Sequence, residues 1–215
     1  MRTVLLTGFE PFDQDLINPS WEAVHLLDGE PLGADVRIVA RQLPCAFATA
    51  GVRLAELMAE HRPQMVIAVG LGPGRRHISI ERVAINVNDA RIPDNLGEQP
   101  IDTDVVPGGP AAYFSTLPIK AMVKAVSEAG IAAGVSQTAG TFVCNQVFYL
   151  LQHALAGSAV RSGFIHVPWL PEQVVGTAPE PPSMALATVV EGLRIATLTA
   201  WNTQVDVVQT GGQVS

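Results

Sequence analysis

Cys144 is the residue on which the chemical interpretation of the chain depends. It follows Gly140 and Thr141 at the start of a segment with apolar residues at helical spacing, which Gly157 ends. Thr141 is the expected N-cap, so Cys144 is predicted to lie in the first helical turn. The unpaired N–H groups and the positive end of the helix dipole there favour a thiolate over a thiol, and the same groups could hold an oxyanion. The pattern therefore predicts an activated cysteine nucleophile.

A cysteine nucleophile needs a base, and the chain contains five histidines. His166 ends an apolar run, residues 163–167, and precedes Pro168, so it is predicted to point into the rim of a sheet, where a general base is expected. A core histidine bonded to a backbone carbonyl is the alternative. The other histidines lie in predicted amphipathic helices or in a polar turn, where exposed positions are expected: His25, His61, His153 and His77.

Glu81 interrupts an apolar run, residues 78–87, and a carboxylate in a buried strand requires a partner. One interpretation is that Glu81 fixes the tautomer of the His166 ring as the third member of a Cys–His arrangement. The other is that it pairs with Arg82 or another arginine, and the residues alone leave both open. The loop carboxylates that follow are expected to cap helices and turns: Asp89, Asp94, Asp102 and Asp104.

Two segments are candidates for a substrate pocket. Phe9 and Phe12 lie in a turn after an apolar strand, where they either line an apolar pocket for a small ring or pack within the loop. Residues 70–74 are rich in glycine and also follow a strand. They favour a close backbone approach to a small substrate rather than a phosphate site, because Pro73 and a β-rich run replace the helix that a phosphate site requires.

Arg91 and Cys45 are two further candidates. Arg91 lies among loop aspartates, where it either steadies an oxyanion or balances their charge. Cys45 is interpreted as a small apolar filler. Two cysteines are too few for a disulfide framework or a cysteine-based zinc site, and they fit a reducing cytoplasm.

The composition limits the class of protein. A chain of 215 residues is expected to form one domain, residues 1–215. Only 15% of the residues are charged, against roughly 25% in typical domains, which indicates extra buried surface in a three-layer sandwich, a subunit interface or both. A net charge of -7 without a Lys/Arg run argues against binding to nucleic acid or to anionic membranes. The apolar run at the N-terminus is too short for a signal peptide, and no stretch approaches the ~20 residues of a membrane span.

Strand-length apolar runs alternate with helix-period segments along the chain. Strands are predicted over residues 3–7, 36–43, 65–69, 78–87, 132–137 and 163–167. Helices are predicted from Asn18 to about Leu27, from Phe47 to Arg62, from Ile119 to Gly130, after Thr141, and from a Ser183 cap to about Thr197. Residues 88–117 are an unusually long irregular segment, and the tail from Asn202 is a possible edge strand before it frays. The alternation predicts an α/β/α sandwich with a mostly parallel central sheet.

The ordered set of motifs closely resembles the pyroglutamyl peptidase I family of cysteine exopeptidases, over nearly the whole chain. The motifs are Thr7-Gly8-Phe9-Glu10-Pro11-Phe12, Asn18-Pro19-Ser20-Trp21, Glu81-Arg82-Val83-Ala84-Ile85-Asn86, Asp89-Ala90-Arg91-Ile92-Pro93-Asp94-Asn95, Gly140-Thr141-Phe142-Val143-Cys144-Asn145 and Gly163-Phe164-Ile165-His166-Val167-Pro168.

The resemblance implies removal of an N-terminal pyroglutamate from peptides through a thioester, without metal or cofactor. It implies Cys144 as nucleophile, His166 as base and acid, and Glu81 as the group that orients His166, with Arg91 at the active site. It further implies that the pyroglutamyl pocket involves Phe9, Phe12, Asn18, Leu71, Phe142 and Val143. The implied fold is related to the purine nucleoside phosphorylases, and the family's bacterial members are often tetramers, so a homo-oligomer, a dimer or a tetramer, is expected.

One loop departs from the family. Residues 71–75, Leu-Gly-Pro-Gly-Arg, stand where the family usually has a Gln-Ala-Gly-Gly-Arg type of segment. If the glutamine side chain bonds the lactam, Leu71 weakens substrate binding; if the backbone N–H and C=O at this position bond it, Leu71 is harmless. The backbone alternative is favoured, because the adjacent donor and acceptor of a lactam suit a peptide group. Two alternatives to a peptidase are a nucleoside-phosphorylase-like enzyme and a catalytically silent scaffold protein.

Overall fold

A computed structural model describes residues 2–212, in which nine strands and six helices alternate. The strands are β1 (Arg2–Phe9), β2 (Pro31–Gly33), β3 (Val36–Leu43), β4 (Met65–Leu71), β5 (Ile78–Glu81), β6 (Val83–Ile85), β7 (Ala112–Phe114), β8 (Ala133–Ser136) and β9 (Arg161–Val167). The helices are α1 (Pro19–Val24), α2 (Phe47–His61), α3 (Ile119–Glu128), α4 (Val143–Ala154), α5 (Pro171–Val174) and α6 (Leu186–Asn202). No helix in this part of the chain is long and apolar enough to cross a membrane.

The central sheet is mixed. Its strand order is β2-β3-β1-β4-β9-β5-β8. Strands β3, β1, β4 and β9 are parallel to their neighbours in this series. Strand β5 runs antiparallel to β9, and β8 is parallel to β5. The short β2 runs antiparallel to β3 at the other edge.

Helices cover both faces of this sheet, because successive strand residues point to opposite sides and both sides are apolar. Val4 and Leu6 face a core shared with α1, α3 and α6, whereas Leu5 and Phe9 face a core shared with α2 and α4. The predicted α/β/α sandwich is confirmed. The sheet is mostly parallel, as predicted, and the antiparallel pairs are β2 with β3 and β5 with β9.

The predicted strand over residues 78–87 is broken at Arg82. Strand β5 stays in the central sheet, and β6 pairs with β7 in a separate two-stranded sheet. Strand β7 lies inside residues 88–117, which were predicted to be irregular throughout. The Asn86 side chain holds this segment in place, because its amide donates to the Val106 carbonyl at 2.9 Å and its oxygen accepts from the Val106 N–H at 2.8 Å.

Helix starts were predicted with mixed success. Asn18 caps α1 as predicted, with its side-chain oxygen accepting from the Ser20 N–H at 3.1 Å. Thr141 does not cap α4, because its hydroxyl donates instead to the Asp89 carbonyl at 2.7 Å and Phe142 occupies the cap position. Ser183 does not cap α6, which begins later, after Ala185.

The tail from Thr203 to Gly212 forms no strand, contrary to the prediction of an edge strand. Its Asp206 carboxylate accepts from the N–H groups of Lys120 and Ala121 at the start of α3, at 3.1 and 2.9 Å. Gly211 and Gly212, where fraying was predicted, have no regular secondary structure, but the Gly211 carbonyl accepts from the side chains of Arg82 and Gln137 at 3.3 and 3.2 Å.

Candidate active site

The Cys144 thiol lies above the end of β4. Cys144 is the second residue of α4 and is partly exposed. Its Sγ approaches Gly70 so closely that a Cβ atom built at Gly70 would lie 2.8 Å from the sulfur. Gly70 is paired in register with His166 on β9, and Cys144 and His166 line the same cavity. A close approach was predicted for residues 70–74, but to a substrate and not to the thiol; a glycine in an apolar strand is the signal for such an approach.

The His166 ring is bound to Glu81, as one of the two interpretations predicted. Glu81 Oε1 lies 2.8 Å from His166 Nδ1, and both side chains are buried. Since an ionised carboxylate only accepts hydrogen bonds, this contact places the ring proton on Nδ1 and leaves Nε2 as an acceptor. The reversal of β5 makes the contact possible, because Ser79 pairs with His166 and Glu81 then lies diagonally across from the ring on the same face.

Glu81 also has an arginine partner, so the second interpretation holds as well. The partner is Arg75, whose Nη2 lies 3.0 Å from Glu81 Oε1. Arg82 points elsewhere and donates to the Gly211 carbonyl at 3.3 Å. Sequence reasoning placed Arg75 only in a polar turn beside His77. The signal that could have found Arg75 is a basic residue at the end of the glycine loop, just ahead of the strand that carries Glu81.

The pKa of the Cys144 thiol is raised from 9.0 to about 12, first by burial and then by the negative charge of Glu81, while the positive charge of Arg75 acts in the opposite direction. The predicted thiolate is therefore wrong for the free site, where Cys144 is a thiol near neutral pH. The proton must leave as the sulfur attacks, and His166, which lines the same cavity, is the base available to receive it.

His77 is half-buried, not exposed as predicted. Burial lowers the pKa of His77, Arg75 lowers it further and Glu81 acts in the opposite direction. The ring packs against β8, because a Cβ atom built at Gly134 would lie 2.8 Å from its Nε2 atom. His77 is therefore a neighbour of the Glu81–Arg75 pair, outside the cavity that Cys144 lines.

The cavity has a volume of about 410 Å³ and largely apolar walls. Five of the six predicted pocket residues line it, and so does Arg91, which was predicted to lie at the active site. The five are Phe9, Phe12, Asn18, Leu71 and Phe142. The Phe12 and Phe142 rings pack with their centroids 5.1 Å apart. Val143 does not line the cavity, because as the first residue of α4 it points into the core shared with α2.

The structure also places Cys45, Arg91 and Asp94, for which the sequence predicted roles or left two alternatives. Cys45 is buried as predicted, and it also lines the cavity. Arg91 is exposed at the cavity and, in residues 2–212, forms no ion pair with an aspartate. Asp94 is a capping residue as predicted, accepting from the Phe47 N–H at 2.7 Å. Arg91 is thus free to face a substrate.

A thiol and an oriented imidazole in one cavity of an α/β/α sandwich define a candidate cysteine hydrolase. The model of the family described as "Pyroglutamyl peptidase" matches residues 2–203. The chain belongs to this family.

Individual relatives agree with this assignment. The pyrrolidone-carboxylate peptidase of Pseudomonas fluorescens is 76% identical over 215 residues and that of Cupriavidus taiwanensis 61% identical over 217, each covering 100% of both chains. The crystal structure of pyroglutamyl peptidase I from Bacillus amyloliquefaciens has a TM-score of 0.94 at 44% identity, covering 97% of this chain and 99% of that one. A mutant pyrrolidone carboxyl peptidase from Pyrococcus furiosus has a TM-score of 0.89 at 45% identity, covering 93% and 98%. These similarities support neither a nucleoside phosphorylase nor a silent scaffold.

Proposed function

We propose that this protein is a cysteine exopeptidase that hydrolyses the amide bond after an N-terminal pyroglutamyl residue. The observation that carries the proposal is the shared cavity, which Cys144 and His166 line together with aromatic side chains. Glu81 bonds the far side of the His166 ring at 2.8 Å. The names of the relatives supply the substrate class, and the cavity fits it.

Recognition of the pyroglutamyl ring rests on apolar contacts and backbone groups. The ring is uncharged, so walls formed by Phe9, Phe12 and Phe142 suit it. The Gly72 N–H bonds to the Val167 carbonyl at 2.9 Å, so Leu71, one residue earlier, directs its own N–H and C=O toward β1. Strand β1 pairs with β4 only as far as Ala68, which leaves the peptide groups of Leu71 to the lactam. A leucine side chain at this position is then compatible with binding.

The first half of the reaction forms a thioester. The Cys144 Sγ atom attacks the carbonyl carbon after the pyroglutamyl ring, and the thiol proton passes to His166 Nε2. The Cys144 N–H, in the first turn of α4, and Arg91 at the cavity stabilise the oxyanion. His166 then returns its proton to the departing amine as the C–N bond breaks.

The second half hydrolyses the thioester. His166 takes a proton from water, whose oxygen attacks the same carbonyl carbon, and the C–S bond breaks. The sulfur regains a proton and free pyroglutamate leaves. Glu81 compensates the imidazolium charge in both halves, at the 2.8 Å contact that also fixes the ring.

Assembly and location stay predictions of the sequence. A homo-oligomer, dimer or tetramer, would account for part of the low charged content, and two cysteines fit the cytoplasm. The partners proposed are peptides that begin with pyroglutamate.

The proposal is tested with a pair of fluorogenic substrates in phosphate-free buffer. L-pyroglutamyl coumarin amide should be cleaved at least about a hundredfold faster than L-prolyl coumarin amide, because the prolyl ring brings a charged amine into an apolar cavity. Equal rates on the two amides, or turnover that requires added phosphate, would contradict the assignment.

A further inference from the structure

Arg75 connects three parts of the site. Its Nη2 atom lies 3.0 Å from Glu81 Oε1 and donates to the Thr138 carbonyl at 2.9 Å. The backbone N–H of Arg75 donates to the Gly72 carbonyl at 3.1 Å, and this hydrogen bond closes the turn after β4. The side chain lies across Gly72, where a Cβ atom would come within 2.9 Å of its Cδ. The glycine-rich loop, residues 70–74, therefore holds the Arg75 guanidinium against β5.

The charge of Glu81 needs this partner. The side chain is fully buried, and in residues 2–212 its ion pairs are those with Arg75 and His166. Both ion pairs are made through Oε1, while Oε2 has no hydrogen-bond partner in the same part of the chain. Because His166 is neutral in the resting mechanism, Arg75 is the cation that compensates the carboxylate there.

We infer that Arg75 is a positioning residue, which keeps Glu81 in the form that accepts the Nδ1 proton of His166 and thereby leaves Nε2 free to act as base. The inference rests on the proposed function, in which His166 takes the proton of Cys144. Arg75 acts through Glu81 and has no reacting atom of its own.

Loss of Arg75 would reverse the donor and the acceptor in the hydrogen bond between Glu81 and His166 Nδ1. A buried carboxylate without its cation takes up a proton, and a protonated Glu81 donates to Nδ1 instead of accepting from it. The imidazole proton then lies on Nε2, where it faces the thiol and blocks proton transfer. A lysine at position 75 would restore the charge but not the second bond to Thr138.

Arg75 also fixes the segment that leads into α4. Thr138, whose carbonyl accepts from Arg75, bonds through its hydroxyl oxygen to the Gly140 N–H at 3.0 Å. The Ser136 hydroxyl donates to the same Thr138 carbonyl at 3.0 Å. A purely structural role for Arg75 would act through this segment, and the test must separate it from the electrostatic role.

The charged and titratable groups around Glu81 come from four places. They are Arg75 in the loop after β4, His77 before β5, Cys144 on α4 and His166 on β9. Removing the positive charge of Arg75 favours protonation of the coupled Glu81–His166 pair, whichever member takes the proton. The acid limb of the activity profile should therefore move to higher pH.

The experiment compares Arg75→Gln and Arg75→Lys with Arg76→Gln. Arg76 is the matched control, because it lies in the same loop, is exposed and forms no ion pair with Glu81 in residues 2–212. On L-pyroglutamyl coumarin amide, Arg75→Gln should lower kcat about a hundredfold and leave KM within about threefold. The acid limb of its pH–activity profile should move up by about one pH unit or more. Arg75→Lys should restore most of the lost kcat and most of the shift in the profile.

A second measurement reads the tautomer directly and does not depend on turnover. Imidazole 15N shifts, with His166 identified from a His166→Asn variant, should show the proton on Nδ1 in the unmodified protein and in Arg76→Gln. In Arg75→Gln near neutral pH the proton should move to Nε2. If Arg75→Gln does not fold, Arg75→Lys provides the test. It should keep the pH–activity profile and the His166 tautomer of the unmodified protein, whereas a purely structural role for Arg75 would not preserve both.

The outcomes separate the two claims. No turnover of the pyroglutamyl amide by the unmodified protein would sink the proposed function, and the tautomer would still decide the role of Arg75. Turnover by that protein, with Arg75→Gln behaving like Arg76→Gln, would overturn only the inference. An unchanged pH profile with an equal loss of kcat in both Arg75 variants, or a raised KM with normal kcat, would also overturn it.

Discussion

At the Cys144 thiol two electrostatic effects oppose each other, and their sizes decide the outcome. A helix N-terminus stabilises a negative charge by up to about 2 kcal/mol. The rise in the pKa of Cys144 from 9.0 to about 12, caused first by burial, corresponds to about 4 kcal/mol. The residue types and their order predicted the helix position, but the density of the surroundings depends on the tertiary fold. Sequence alone therefore favoured the wrong protonation state.

The alkylation rate of Cys144 should reflect this protonation state. Below the raised pKa the thiolate fraction grows about tenfold for each pH unit, so labelling by iodoacetamide should rise steeply from about pH 7 to pH 10. Peptide mass mapping would separate Cys144 from the buried Cys45, and circular dichroism would show that the fold persists. A rate that is already constant at neutral pH would contradict a resting thiol.

At the scale of elements, the sequence predicted most strands and helices but not how they bond to one another. Strand β3 was predicted with its observed bounds, Val36–Leu43. The reversal of β5, which brings Glu81 to His166, has no local signal, because strand direction is set by the whole sheet. Long-range polar contacts were missed for the same reason, and Asn145 is the clearest case.

Asn145 ties the first turn of α4 to the strand that follows Glu81. Its side-chain oxygen accepts from the Ile85 N–H at 3.0 Å, and its amide donates to the carbonyls of Ile85 and Val87 at 2.9 and 3.0 Å. Asn145→Leu keeps the size but leaves buried backbone groups unpaired, so it should lower the free energy of unfolding by about 3 kcal/mol.

Urea denaturation would measure this loss. The matched control is Asn202→Leu at the exposed end of α6, which should change the free energy of unfolding by no more than about 0.5 kcal/mol. Equal stabilities of the two variants would mean that the Asn145 contacts contribute nothing net.

At the scale of the whole molecule, the tail beyond α6 completes an element distant in sequence. Helix α3 has no side-chain cap of its own, because Pro118 precedes it. Asp206 supplies the missing acceptors to the N–H groups of Lys120 and Ala121. An edge strand was predicted for this tail from its composition. Capping by a residue 85 positions away cannot be read from a local pattern.

Removal of this cap should cost stability without touching the active site. Asp206→Ala is expected to lower the free energy of unfolding by about 1–2 kcal/mol, since it leaves two N–H groups at the start of α3 without acceptors. Asp206→Asn retains one acceptor oxygen and should lose less. Thermal or urea unfolding would measure both, and an Asp206→Ala variant as stable as the unmodified protein would show that solvent caps α3 equally well.

The account as a whole depends on Cys144 as the nucleophile, and the kcat of Cys144→Ser on L-pyroglutamyl coumarin amide tests that role most directly. Serine preserves the shape of the side chain but is a much weaker nucleophile beside His166. The folded variant should turn over at least about a thousandfold more slowly than the unmodified protein. A rate above about one tenth of that of the unmodified protein would show that another group attacks the substrate.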